Sequence, residues 1–145
     1  MPTNVIPYAF RGELFSGTHD FSSGGNNFNL ALYSSNPYDT SSTVYVATNE
    51  QSSASSSNYT ARGNALGSNA VVYATAVASC DFADSEWTDA TISVAFGAIF
   101  NTSTTPADKL CVVLDFDGTK TCTNGTFKVS FPSPSTAADA IISMA

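Results

Sequence analysis

Alternation of apolar and polar residues is the main signal along this chain. In FNLALYSS, Phe28, Leu30 and Leu32 face one way while Asn29, Ala31 and Tyr33 face the other, the pattern of a half-buried strand. ATISVAFGAIFN is the clearest case, with Ile92, Val94, Phe96, Ala98 and Phe100 on one face and Gly97 marking a bulge. KLCVVLDF sets Leu110, Val112, Leu114 and Phe116 together, and GTFKVSFP does the same with Phe127, Val129 and Phe131. AVVYATAVASCDFA reads as a β-branched and aromatic run with Val71, Tyr73, Thr75 and Val77 aligned, TVYVAT (43–48) as a weaker strand, and AIISMA as a last one. Turn clusters separate them: STTPAD, DGTKTCTNG and SPSTAAD. The stretch EQSSASSSNYTARGNALGSN reads as a long loop or irregular edge.

The N-terminal segment is different. In VIPYAFRGELFSG, Phe10 and Leu14 lie at helical spacing, with Phe15 beside them and Gly17 as a stop. A short helix and an extended arm both fit, and THDFSSGGNN follows as a loop. Several alternating strands without βαβ alternation predict an all-β fold: one antiparallel β-sandwich or jelly-roll-like barrel over residues 1–145. Residues 1–20 form the candidate arm.

Composition narrows the function. The chain has 145 residues, enough for one domain with a sizeable core, and only 12% are charged. Its net charge is −7, and Arg11, Arg62, Lys109, Lys120 and Lys128 are scattered. Nucleic-acid binding requires a basic patch, so that partner is not expected. The opening MPTNVIPYAF lacks a positive region followed by an apolar core, so no secretion signal is expected, and no stretch reaches membrane-spanning length. Three sequons, at Asn58, Asn101 and Asn124, arise readily by chance in a chain this rich in Asn, Ser and Thr.

Each candidate chemistry has a plainer counterpart. VVLDFDGTKT matches the Asp-x-Asp-Gly-Thr of haloacid-dehalogenase phosphatases, but that chemistry needs a parallel α/β sheet and downstream groups for Mg²⁺. Asp115 and Asp117 read instead as outward turn aspartates, with a weak Ca²⁺ site as the alternative. His19 beside Asp20 suggests a catalytic pair, yet adjacent residues rarely orient one another, and a loop histidine bonded to backbone is the simpler expectation. Asp81, Asp84, Glu86 and Asp89 are the densest acidic stretch, read as a solvated connector with Phe82 and Trp87 packed inward. Cys80, Cys111 and Cys122 read as reduced thiols with no zinc spacing, leaving open a Cys111–Cys122 bridge across a hairpin. No catalytic residue, cofactor or metal is expected.

Five segments together resemble a known group: FRGELFSGTHDF, FNLALYSSNPYD, YTARGNAL, DFADSEWTDATISVAFGAIFN and VVLDFDGTKTCTNGTFKVSFP. The chain is similar over nearly its whole length to small virion structural proteins of tailed bacteriophages, including cyanophages. The most specific parts are Gly17-x-His19-x-Phe21 leading into Phe28–Tyr33, the Trp87-to-Phe100 segment, and the block from Leu114 to Phe131. The cysteines and EQSSASSSN depart from that pattern. The resemblance implies a strand-and-hairpin role for LDF and the following Asn-Gly turn. It also implies a non-enzymatic capsid decoration (cement) protein on the outer virion surface, with a tail, neck or fibre component as the alternative. Its implied partners are the major capsid protein and its own copies, as a homotrimer. Pro7, Phe10, Leu14 and Phe15 of the arm are the candidate partner contacts. A carbohydrate-binding adsorption module is the other reading, and it requires exposed platforms from Tyr33, Tyr38, Tyr45 and Tyr59.

Overall fold

A computed structural model of the chain describes residues 4–74, 76–132 and 140–144. The arm is helical: α1 spans Tyr8–Phe15. Its stop is the predicted one. Gly17 takes φ +70°, and the amides of Gly17 and Thr18 return to the carbonyls of Leu14 and Glu13, satisfying the last turn of the helix.

Seven strands follow: β1 (Phe28–Tyr33), β2 (Asn64–Leu66), β3 (Ala70–Ala74), β4 (Val77–Asp81), β5 (Ser85–Asn101), β6 (Lys109–Val129) and β7 (Ile142–Met144). They form two antiparallel sheets, in the orders β2-β1-β5-β6 and β3-β4-β7, so the all-β, sandwich-like expectation holds. One hydrophobic cluster joins them. Leu30, Ile92, Val94, Val112 and Leu114 of the larger sheet meet Cys80 and Ile142 of the smaller one, with Phe10, Phe21 and Phe82 filling the gap.

The larger sheet is buried on its second face as well. Ala31, Tyr33, Ala98, Phe100, Leu110 and Val113 pack beneath Tyr38, Tyr45 and Val46, which come from the loop after β1. That loop was expected to hold a strand at 43–48, but its backbone makes isolated bridges instead of a strand, Val44 to Lys109 and Glu50 to Tyr33. It acts as a lid whose side chains, not its ladder, do the covering. The Ser-rich loop conversely supplies the short edge strand β2.

Strand boundaries differ most in the second half. The turns expected at Asp117-Gly118 and Asn124-Gly125 are irregularities inside one continuous β6, which pairs along β5 from Asn101↔Lys109 to Ser85↔Val129. Between Phe96↔Asp115 and Val94↔Lys120, Ala95 alone lies opposite Phe116, Asp117, Gly118 and Thr119. Asp117 and Gly118 take φ of 56° and 93° there, so turn-forming residues make a bulge rather than a reversal. The bulge switches the faces of β5. Ile92 and Val94 belong to the core between the sheets, whereas Phe96, Ala98 and Phe100 face the lid. Gly97 is not the bulge; a Cβ there would meet Phe116 Cζ at 3.0 Å and Leu30 Cδ1 at 3.1 Å. An extra residue at Cys111 likewise turns Leu110 away from Val112 and Leu114. Finally, AVVYATAVASCDFA is a hairpin, with Ala74↔Val77 closing it, and not a single strand; its Thr75 lies outside the described residues.

Candidate functional site

The helix α1 sets one wall of the site. Phe10 and Leu14, four residues apart, point the same way; Phe10 is fully buried and Leu14 partly so. Phe15 is one residue further round and is 92% exposed. The facing wall is the small sheet. Val71, Cys80 and Ile142 lie side by side across its three strands, and Tyr73, Ala78 and Met144 form the next row out. The first row reaches the core, but the second overhangs it: Tyr73 is 81% exposed and Met144 56%.

Three adjoining depressions run along this seam. One of about 190 Å³ lies between Ile6, Phe15 and Met144, one of about 230 Å³ between Leu14, Val71 and Ile142, and one of about 380 Å³ beside Tyr73 and Met144. Met144 borders all three, so they form one apolar trough with Arg11 at one end and Asp20 beside its middle.

Beneath the trough sits a buried polar network. Asn101 Nδ2 donates to His19 Nδ1 at 3.0 Å and to Asn26 Oδ1 at 2.8 Å. Because Nδ1 accepts, Nε2 carries the ring proton and donates to Glu13 Oε2 at 2.9 Å. Lys109 pairs with the other Glu13 oxygen. Burial holds the His19 pKa below its usual value, outweighing the attraction of Glu13. Burial pushes Glu13 the opposite way, yet Lys109 and His19 together bring its carboxyl below the usual range. The network ties the end of α1 to the ends of β5 and β6.

The order Glu13, His19, Cys111 superficially resembles an acid–base–nucleophile line, since Cys111 Sγ is 3.9 Å from His19 Nδ1. That nitrogen is already occupied by the Asn101 amide, and Cys111 has no exposed surface. Burial also raises its thiol well above the usual pKa, so it is not a thiolate at neutral pH. The arrangement fastens the fold together and offers no nucleophile to a substrate.

The other candidate residues fall elsewhere. Asp115 Oδ1 accepts from the backbone N–H of Asp117 at 2.9 Å, a turn-type contact within the bulge. Among the described residues no group of three or more His, Cys, Asp and Glu could hold a metal ion. His19 bonds to side chains, not to backbone as expected, and Asp20 turns away to Ser22. Asp84 pairs with Lys128 at 2.8 Å and caps the Phe131 N–H, while Trp87 is buried against Tyr59 and Phe127. All three cysteines are free. Cys111 and Cys122 lie on the same strand, on the order of 30 Å apart along it, so the hairpin bridge is excluded.

The four tyrosines expected as a sugar platform are not exposed together. Tyr33, Tyr38 and Tyr59 are 0%, 7% and 3% exposed. Tyr33 and Tyr38 bond hydroxyl to hydroxyl at 2.7 Å, and Tyr45 and Tyr59 donate to the two oxygens of Glu50 at 2.6 and 2.8 Å. Of the four arm residues expected as contacts, Pro7 and Phe10 are buried within the chain's own fold. Leu14 and Phe15 do line the trough. Val71, Tyr73 and Met144 escaped the sequence reading because a β-branched run looks the same whether a core covers it or not. No protein-family model, curated protein or solved structure matches the chain.

Proposed function

We propose that this chain is a non-enzymatic virion structural protein: a capsid decoration or cement protein that binds the major capsid protein on the outer surface of a tailed-phage head. The observation that carries the reading is the apolar trough, in which Phe15 and Met144 stand in solvent on an acidic domain. Exposed apolar side chains gathered in a groove mark a protein-binding surface. Phe15, a large rigid side chain with few rotamers to immobilise, suits an anchor. Docking such surfaces across capsid subunits adds buried area and resists the pressure of packed DNA. The resemblance to phage virion proteins supplies the partner and the homotrimer as the docking unit.

The test is co-sedimentation with purified capsid shells lacking the protein. Wild-type chain is expected to bind at a fixed ratio, and Phe15→Glu to lose binding while keeping its circular dichroism and melting temperature. Wild-type protein that ignores shells overturns the reading and directs the same assay to tail and neck assemblies. The carbohydrate-binding alternative is less supported, because three of the four tyrosines whose ring faces it needs, Tyr33, Tyr38 and Tyr59, are buried.

A further inference from the structure

Among the described residues, one edge of the smaller sheet is left unguarded. Sheet edges are templates for pairing with another strand, and proteins blunt them with shortness, charge, proline or bulges. The other edges show these devices. β2 and β7 have three residues each. The outer side of β6 carries bridges to Val5 and Val44 and, further along the strand, Asp115, Asp117 and Lys120 around its bulge. The edge strand β3 reads Ala-Val-Val-Tyr-Ala: five residues with no charge, no proline and regular pairing to β4 throughout. No described strand pairs with its other side.

Its outward groups can be assigned. The Val72 carbonyl faces β4, where it accepts from Ser79 Oγ at 3.4 Å. Backbone groups alternate sides along a strand, so the N–H and C=O of Val71 and Tyr73 point away from the sheet. Their side chains share one face, 38% and 81% exposed.

We infer that β3 pairs antiparallel with β3 of a second copy of this chain, about a two-fold axis at Val72. The strand is self-complementary about that residue. Val71 of each copy lies opposite Tyr73 of the other in a hydrogen-bonded pair, Val72 faces its own twin, and Ala70 meets Ala74. The two exposed side chains thus cover each other, joining the two three-stranded sheets into one of six strands. Charge favours the same occupant. The chain carries −7, but no charged residue occurs from Asn69 to Cys80, so two copies meet here without like charges in contact. The nearest acid, Asp81, pairs with Ala70, and antiparallel pairing puts the two copies' Asp81 at opposite ends. Five residues per copy bury less than the roughly 800 Å² per partner of a standard interface, so the pairing is concentration-dependent. It does not depend on the virion reading, and it is a two-fold contact distinct from the three-fold one the resemblance implies.

The experiment uses the purified chain alone. Sedimentation across a concentration series is expected to show assemblies of an even number of chains. Tyr73→Lys places a charge on the edge and is expected to halve the mass; Val71→Pro removes only an outward N–H and is expected to do the same. In a Cys122→Ser background, Val72→Cys is expected to oxidise to a covalent dimer, because the twin residues sit opposite each other, whereas Val71→Cys is not. The thiols of Cys80 and Cys111 are buried and stay out of this reaction. A wild-type chain that stays monomeric or forms only trimers overturns the proposal. So does a Val72→Cys variant that cross-links no better than Val71→Cys. Because no shells are present, failure here leaves the capsid reading to its own assay.

Discussion

The two sheets are built from similar residues and treated differently. The four-stranded sheet is covered on both faces, by the small sheet and α1 on one side and by the 36–50 lid on the other; five of the six residues of β1 are buried. In the three-stranded sheet, only Ser79, Cys80 and Ile142 are buried. Val, Tyr and Ala of β3 have the same strand propensity as Leu, Ala and Tyr of β1. What differs is what lies above them. Apolar residues therefore anchor the fold in one sheet and remain available for contact in the other.

That contrast can be broken most severely at Gly63. It takes φ +66°, and a Cβ would lie 1.8 Å from the Leu30 carbonyl oxygen, just where β2 begins to pair with β1. Gly63→Ala is expected to cost about 4 kcal/mol or more, or to prevent folding, read from the urea midpoint. Phe100→Ala, in the lid-side cluster, is expected to cost about 3–5 kcal/mol in the same measurement.

Glu50 comes next. It gathers the hydroxyls of Tyr45 and Tyr59 and the backbone N–H of Arg62, so Glu50→Ala leaves three donors without their acceptor. The expected loss is about 2–3 kcal/mol, with loosening of the lid visible as faster amide exchange over 36–50.

The network of Glu13, His19 and Lys109 predicts a pH dependence. The folded-state pKa of His19 lies below its unfolded value of about 6.5, so the folded state prefers the neutral ring. Its contribution is complete above pH 6.5 and is lost as pH falls toward the folded pKa. Glu13, also lowered, contributes above its usual 4.5 and is lost below that. The melting temperature is expected to fall in two stages on acidification. His19→Gln is expected to remove the upper stage and leave the lower one.

The smallest effect sharpens the comparison from the other side. Tyr73→Ser removes an aromatic of the same size class as Phe100, yet is expected to change monomer stability by no more than about 0.5 kcal/mol. A large loss measured at low protein concentration, where copies are separate, would sink the distinction between a covered and an uncovered sheet.

Much of the fold was legible in the sequence. The alternation in β1 and the stop at Gly17 register local preferences that the structure keeps, whereas Leu110 does not share the face of Val112 and Leu114. The face assignment failed in β5, because a bulge opposite Ala95 interrupts the period of two without any change in local composition. The Asp-Gly and Asn-Gly pairs failed as turns for a related reason. Left-handed backbone serves a bulge as well as a reversal, and only the long partner strand decides between them. Of the four arm residues proposed as contacts, Leu14 and Phe15 border the trough, while Pro7 is buried and Phe10 belongs to the chain's own core. The buried Glu13–His19–Asn101 network was not legible, since His19 and Asn101 are 82 residues apart in the chain and meet only where α1 packs near the ends of β5 and β6.

The sequence by itself determined the all-β class and an acidic, weakly charged composition, because these follow from neighbouring residues and from composition; the choice between helix and extended arm at the N-terminus was left to the structure. Only the tertiary structure decided which apolar strands became core and which stayed in solvent. Burial is a property of what packs above a residue, and for Tyr73, Met144 and Phe15 nothing in the described chain does.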